Sequence, residues 1–335
     1  MLYPLLISMN FSQIIGHKKV IEHLQQSVLH NRINHAYIFD GVKGIGKMTI
    51  AKAFAKTLNC EKGGIEPCGE CISCKTFDEN NNPDIIYVTH EKKDIRVDEI
   101  REQILKNITL KPYRNKYKIF IIPEADKMNV LAQNAFLKTL EEPPEYGIFL
   151  LLCENYNKFL VTVLSRCIMF KLHPLSTEVI SDYLVKNMNI SLEQARLYSI
   201  YSQGSIGNAV ELLNSEEFRD IRDTAVETAV RLEDADLIEL YKITDDLKEN
   251  KSALDRILEI MYLVYRDALV LKETGDESRV IQGDKLEQTK TIAEKTSASM
   301  LIKRCDHIND TRNRLGRNGN TQLLLETLFF KIKEK

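Results

Sequence analysis

Five short apolar runs recur through the first half of the chain: His35–Asp40 (HAYIFD), Asp84–Thr89 (DIIYVT), Tyr117–Ile122 (YKIFII), Gly147–Leu152 (GIFLLL) and Cys167–Leu172 (CIMFKL). Each has strand length and is rich in β-branched and aromatic residues, which predicts strands. Between them, Lys47–Asn59 and Met128–Glu141 read as helices, the second stopped by Pro143 and Pro144, which cannot continue a hydrogen-bonded helix. Strands buried on both faces and joined by helices predict an α/β domain with a mostly parallel sheet.

Beyond Pro174 the strand signal ends. Thr177–Met188, Ser191–Tyr201 and a third segment from Asn208, after the turn Gly204-Ser205-Ile206-Gly207, predict a small three-helix module. Longer helices follow, among them Lys251–Glu273 and Thr321–Lys333, with polar breaks near Gly275-Asp276 and Gly316–Asn320. The expected organisation is an α/β domain over 1–174, a small helical lid over 175–214 and an all-helical domain over 215–335. That last region carries no site chemistry, so it reads as an assembly surface.

Composition bounds what this fold can do. The 335 residues are 44% hydrophobic and 28% charged, an ordinary globular balance. Because 46 Lys+Arg nearly cancel 48 Asp+Glu, no global positive field draws in nucleic acid, and any such contact must be local or shared with partners. No apolar stretch is long enough to span a membrane. The start, Met1–Ile7, is apolar but lacks a basic segment and a cleavage site, so no signal peptide is expected. Met9 opens what reads as the domain start, which makes residues 1–8 an upstream extension. A cytoplasmic location is expected.

The first strand runs directly into Gly41-Val42-Lys43-Gly44-Ile45-Gly46-Lys47-Met48-Thr49. This is close to the phosphate-binding loop G-x-x-x-x-G-K-[ST], whose glycines let backbone N–H groups approach phosphates and whose lysine meets their charge. Met48, however, stands where Ser or Thr would hold Mg²⁺. Thr49 does not replace it, since one residue along a helix turns the side chain by about 100°. At the end of the third run, Pro123-Glu124-Ala125-Asp126 puts proline in the first acidic position of the metal-and-water pair. The site reads as degenerate, with Gly41, Gly44, Gly46, Lys47, Thr49 and Glu124 as its remaining parts.

Of seven cysteines, Cys60, Cys68, Cys71 and Cys74 form C-x₇-C-x₂-C-x₂-C just after the loop's helix. Four thiolates at this spacing, with Gly63, Gly64, Pro67 and Gly69 permitting sharp turns, predict a closed metal site. An iron–sulfur cluster is chemically open to the same four ligands. Cys153, Cys167 and Cys305 read as buried, inert thiols. The histidines show no ligand spacing, and His35 reads as a packed residue.

Several segments together resemble the AAA+ subunits of the bacterial DNA polymerase III clamp loader: Phe11–His17, Arg32–Phe39, the phosphate loop, the cysteine cluster, Asn134–Pro144 (NAFLKTLEEPP) and Ser165-Arg166-Cys167. The resemblance implies zinc at the cysteine cluster and an arginine finger at Arg166, facing the nucleotide of the next subunit. It also offers two types of subunit. The ATPase type (gamma or tau) carries Ser/Thr, an Asp-Glu pair and a lid arginine where this chain has Met48, Pro123 and Gly207, so the noncatalytic delta-prime type fits better. The implied partners are gamma/tau ATPase subunits, a delta subunit and, through the complex, a sliding clamp and primer-template DNA, with no membrane. ATP binding at Lys47 stays open. A separate zinc-dependent DNA-binding module is disfavoured, because basic and aromatic residues do not interleave around the cluster.

Overall fold

The computed structural model describes residues 10–249, 252–315 and 320–334. Residues 1–8, read above as an upstream extension, and most of the expected break at 316–320 lie outside them. The chain divides into two compact units: one runs to Tyr183 and takes in Ser202–Ala209, the other comprises Leu184–Tyr201 and the chain from Val210.

In the first unit all five predicted strands form one parallel sheet in the order β2-β3-β4-β1-β5. The strands are β1 (Ala36–Asp40), β2 (Ile85–Tyr87), β3 (Lys118–Ile122), β4 (Gly147–Cys153) and β5 (Ile168–Lys171). Alternate residues of each strand serve opposite cores, as the strand period of two demands. Tyr37, Phe39, Ile119, Ile121 and Leu150 pack with Leu24, Ile50 and Phe54, which come from α1 (Lys18–Leu29) and α2 (Lys47–Leu58). Ile38, Phe120, Ile122, Phe149 and Leu151 pack on the other face with Phe136 of α6 (Val130–Glu141) and with Ile100 and Ile104. Those two isoleucines lie in a helical stretch made of α4 (Val97–Glu99), a π-helical turn (Ile100–Leu105) and α5 (Lys106–Ile108). Lys118 is buried in β3, where its Nζ donates to Asn107 O and Leu110 O, both at 3.0 Å, and so satisfies the carbonyls at the end of that stretch.

α3 (Ile72–Asp78) carries the later cysteines and is tied to α2 by the fully buried Lys56, whose Nζ meets Asp78 at 2.6 Å. α7 (Val161–Leu164) precedes Arg166. α8 (Thr177–Met188), α9 (Leu192–Tyr201) and α10 (Ile206–Leu213) occupy the three expected lid segments.

The second unit is helical. It contains α9, α11 (Glu216–Asp234), α12 (Leu237–Glu249), α13 (Leu254–Thr274), α14 (Leu286–Lys295), α15 (Ala298–Leu315) and α16 (Thr321–Lys333). The central α13 packs on α11, α14 and α15 and buries Ile257, Leu258, Met261, Val264 and Tyr265. Arg256 holds α9 to this bundle, its guanidinium lying over the Tyr201 and Phe218 rings. No helix of the described residues is long and apolar enough to cross a membrane.

Phe149 is fully buried at the middle of the sheet, 5.2 Å from the Phe120 ring and edge-on to Phe136 at 5.0 Å. Phe149→Ala should cost about 3–5 kcal/mol, read as a lower melting temperature. The half-exposed Phe330→Ala should shift it far less.

Candidate nucleotide site and metal cluster

The phosphate loop leaves the end of β1 and enters α2 through Gly46, whose φ of 109° is one that side chains rarely adopt. Its glycines and Lys47 lie at the strand-to-helix junction, and its carbonyls are engaged within the protein. Lys47 Nζ folds back onto Gly41 O and, at 2.9 Å, onto Val42 O. Lys43 O accepts from Ser205 Oγ at 2.9 Å, Gly44 O from Gly207 N at 3.0 Å, and Ile45 O is 3.1 Å from His17 Nε2. A carbonyl can only accept, so His17 carries its proton on Nε2; burial lowers its pKa and keeps the ring neutral.

The contact between Gly44 and Gly207 is backbone against backbone. A Cβ on Gly44 would lie 2.7 Å from Ser205 Oγ and 2.8 Å from Asn208 N, and one on Gly207 would lie 2.8 Å from both Gly44 Cα and Gly44 O. Gly207 is the residue standing at the lid arginine position. In this arrangement no side chain fits there.

Met48 is partly buried against the core on the α1–α2 side of the sheet, and Thr49 is exposed on the first turn of α2. Pro123 directly follows β3, and Glu124 adopts a left-handed conformation with φ 49°. The Glu124 carboxylate accepts from Lys127 at 2.8 Å and from His90 at 3.1 Å. The Lys127 hydrogen bond, aided by His90, holds its pKa below the usual carboxylate range. Lys47 sits in a different set of charges. Burial lowers its pKa, opposed chiefly by Glu154, then Cys153, Asp126 and Asp40. Sequence reasoning missed Asp40 and Glu154, although each follows directly on a buried strand run. Asp126 is buried and takes Lys158 Nζ at 3.1 Å.

Arg166 stands just past α7, with about a third of its side chain exposed. One guanidinium nitrogen donates to Thr162 O at 2.8 Å and another to Glu141 Oε1 at 2.8 Å. Glu141 belongs to the LEEPP run, so two segments singled out separately in the sequence meet here. Nearby His35 is half-buried, and burial lowers its pKa, as a packed histidine requires.

The four clustered cysteines come together with all sulfurs within 4.8 Å of one another, Cys68 and Cys74 at 4.0 Å. Sulfurs at the corners of a zinc tetrahedron with bonds of about 2.3 Å stand about 3.8 Å apart, so the set fits a closed four-thiolate ion site. Backbone N–H groups point at the sulfurs: Cys68 N donates to Cys60 at 3.3 Å, Cys71 N to Cys68 at 3.3 Å and Cys74 N to Cys71 at 3.4 Å. Such bonds favour thiolate. Those from Cys71 and Glu70 bring the Cys68 thiol down to about 6, while burial pushes Cys74 up. Cys153, Cys167 and Cys305 are all pushed up by burial, Cys167 to about 12, as inert thiols are.

A family model described as DNA polymerase III, delta subunit, matches residues 16–176, and one described as DNA polymerase III, delta subunit, C terminal, matches 217–334. The chain is 29% identical to DNA polymerase III subunit delta' of Bacillus subtilis over 319 residues, 94% of this chain and 96% of that one. It is 28% identical to DNA polymerase III subunit tau of the same organism over 354 residues, 99% of this chain and 62% of the relative. It is 38% identical to DNA polymerase III subunit tau/gamma of Haemophilus influenzae over 208 residues, 60% of this chain and 30% of the relative. The chain thus spans less than two thirds of its tau-type relatives but nearly all of the delta' relative. With the phosphate loop, parallel sheet and helical C-terminal unit in place and family models over both units, the chain belongs to the AAA+ clamp-loader subunit family of DNA polymerase III.

Proposed function

We propose that the chain is a delta-prime-type clamp-loader subunit, a noncatalytic AAA+ ring member that offers Arg166 to the nucleotide of a neighbouring ATPase subunit. The observation that carries the reading is the Gly44–Gly207 contact: the segment after Tyr201 rests on the phosphate loop, and its N–H takes a loop carbonyl. Met48 and Pro123 remove the Mg²⁺ ligands as well, and phosphoryl transfer depends on that charge neutralisation. The competing gamma/tau-type ATPase needs all three positions restored.

Arg166 retains what its own site has lost. Its planar fork of donors suits a γ-phosphate, and about a third of its side chain is exposed. Its pair with Glu141 is solvent-accessible on both sides, so exchanging the carboxylate for a phosphate costs little. The helical region from about residue 215 is the proposed collar that joins the ring, and 175–214 the lid. The gamma/tau and delta subunits are the proposed partners, a sliding clamp and primer-template DNA are met through the complex, and the cytoplasm is the proposed compartment. Zinc is the proposed ion at Cys60, Cys68, Cys71 and Cys74, structural because four protein ligands leave no open position.

Arg166→Ala should leave folding and assembly intact while lowering DNA-stimulated ATP hydrolysis and clamp loading by a reconstituted complex. A finger is worth roughly 10³-fold at the site it serves, so one site of the ring falls silent and the others continue. Arg166→Lys should rescue little. Loading at the wild-type rate by the alanine variant refutes the role in trans.

Elemental analysis should find one zinc per chain. In the metal-free chain at pH 7 the Cys68 thiol, lowered to about 6, is mostly thiolate and should be the first of the seven cysteines to react with iodoacetamide. Zinc should protect all four clustered cysteines together. Iron in place of zinc, or uniform alkylation with and without zinc, counts against the assignment.

A further inference from the structure

The loop from Leu110 to Lys116 (LKPYRNK) contains three cations, one aromatic ring and no acid. Tyr113 is 87% exposed, and Lys111, Arg114 and Lys116 are exposed around it. A lone exposed tyrosine is ordinary, and a charged loop usually is too. What is unusual is how firmly this one is held. The buried Asp84 carboxylate accepts from three successive backbone N–H groups, Tyr113 at 2.6 Å, Arg114 at 3.0 Å and Asn115 at 2.9 Å. Asn115 Nδ2 donates to Asn82 Oδ1 at 2.9 Å, and Asn59 exchanges both its amide bonds with the backbone of Tyr117, at 3.0 and 3.1 Å.

Two of these anchors, Asn59 and Asn82, connect to the cysteine module. Asn59 adjoins Cys60, and Glu61 on its other side pairs with Arg114 Nε at 2.9 Å. Asn82 donates its own amide to Ser73 O at 3.4 Å and to Thr76 Oγ1 at 3.3 Å, both on α3 between and after the ligands Cys71 and Cys74. The module is therefore a platform that fixes the backbone under Tyr113 while the ring stands in water. The folded core gains nothing from the position of that ring. The loop lies some forty residues downstream of the cysteines in sequence, and the Arg114–Glu61 pair brings it back to the module.

We infer that this loop is a single-strand nucleic-acid contact, with Tyr113 as a stacking face for a base and Lys111, Arg114 and Lys116 as phosphate contacts. A rigid aromatic ring flanked by cations is the pairing that sequence-tolerant single-strand binders use. The Asp84 carboxylate is buried beneath the loop and faces three N–H donors, whose dipoles partly offset its charge. The Arg114–Glu61 pair is about half exposed on both sides, so it yields readily to a phosphate. An acidic protein segment would use the same cations but would not need a bare π-face.

The test uses the full chain at low salt and a fluorescently labelled oligothymidylate, with affinity read by anisotropy. Tyr113→Ala should weaken binding about 5- to 100-fold, while Tyr113→Phe, which keeps the face and drops the hydroxyl, should bind as wild type. The triple variant Lys111→Ala, Arg114→Ala, Lys116→Ala should flatten the salt dependence by a log–log slope of up to about 2. Unchanged circular dichroism and melting of the exposed Tyr113 variants separate lost contact from lost fold. Equal binding by wild type and Tyr113→Ala overturns the proposal. So does a labelled polyglutamate that binds the loop while oligothymidylate does not. Neither result touches the Arg166 reading, which concerns a different edge and a different assay.

Discussion

Two glycines meeting backbone to backbone set the character of this molecule. Gly44 and Gly207 approach so closely that a single methyl group on either would overlap the other strand of chain. The hydrogen bond between them, from Gly207 N to Gly44 O, ties the segment after Tyr201 to the loop. The neighbouring contacts reinforce it: Ser205 takes the carbonyl before Gly44, His17 the carbonyl after it, and Lys47 the two at the head of the loop. The carbonyls from Gly41 to Ile45 are thus all engaged within the protein.

The cysteine module extends the same rigidity outward. Lys56 is fully buried on the helix that starts at the phosphate loop, and its pair with Asp78 fixes α2 to α3. A buried pair of this kind is costly to break because one charge would be left without a partner. Glu66, inside the cysteine loop, accepts from Phe11 N, Ser12 N and Gln25 Nε2, at 2.9, 3.1 and 3.0 Å, and so pins the segment that leads to His17. From the four thiols a continuous run of contacts reaches the phosphate loop by two routes, through α2 and through the segment at Phe11–His17. The ion's proposed part is thus structural on both counts, bracing the loop on one side and the Tyr113 loop on the other.

Much of this was legible in the sequence. The five strands, the helix after the phosphate loop and the one ending at Pro143 fall within a residue or two of their apolar runs, because each segment's local preference agrees with its burial. The cysteine tetrad was legible because ligand spacing is short-range chemistry. Contacts between segments distant in the chain were not. Nothing in the local sequence says that Glu141 of the LEEPP run accepts from Arg166, that Lys118 is a buried cap at the start of a strand, or that Asp84 cradles three N–H groups of a loop some thirty residues on. Glu124 is a further case: its place after β3 was readable, but its pairing with Lys127 and His90 was not. The lost lid arginine was readable as Gly207, but its reason, the approach of Gly44, appears only once the chain is folded.

The central claim is that the phosphate loop of this chain is a structural joint and not an engine. Steady-state ATP hydrolysis by the purified chain with Mg²⁺, compared between wild type and Lys47→Ala, tests it most directly. The account predicts that both proteins stay at background. A steady wild-type rate that disappears in Lys47→Ala would contradict it and restore the reading of an active gamma/tau-type ATPase.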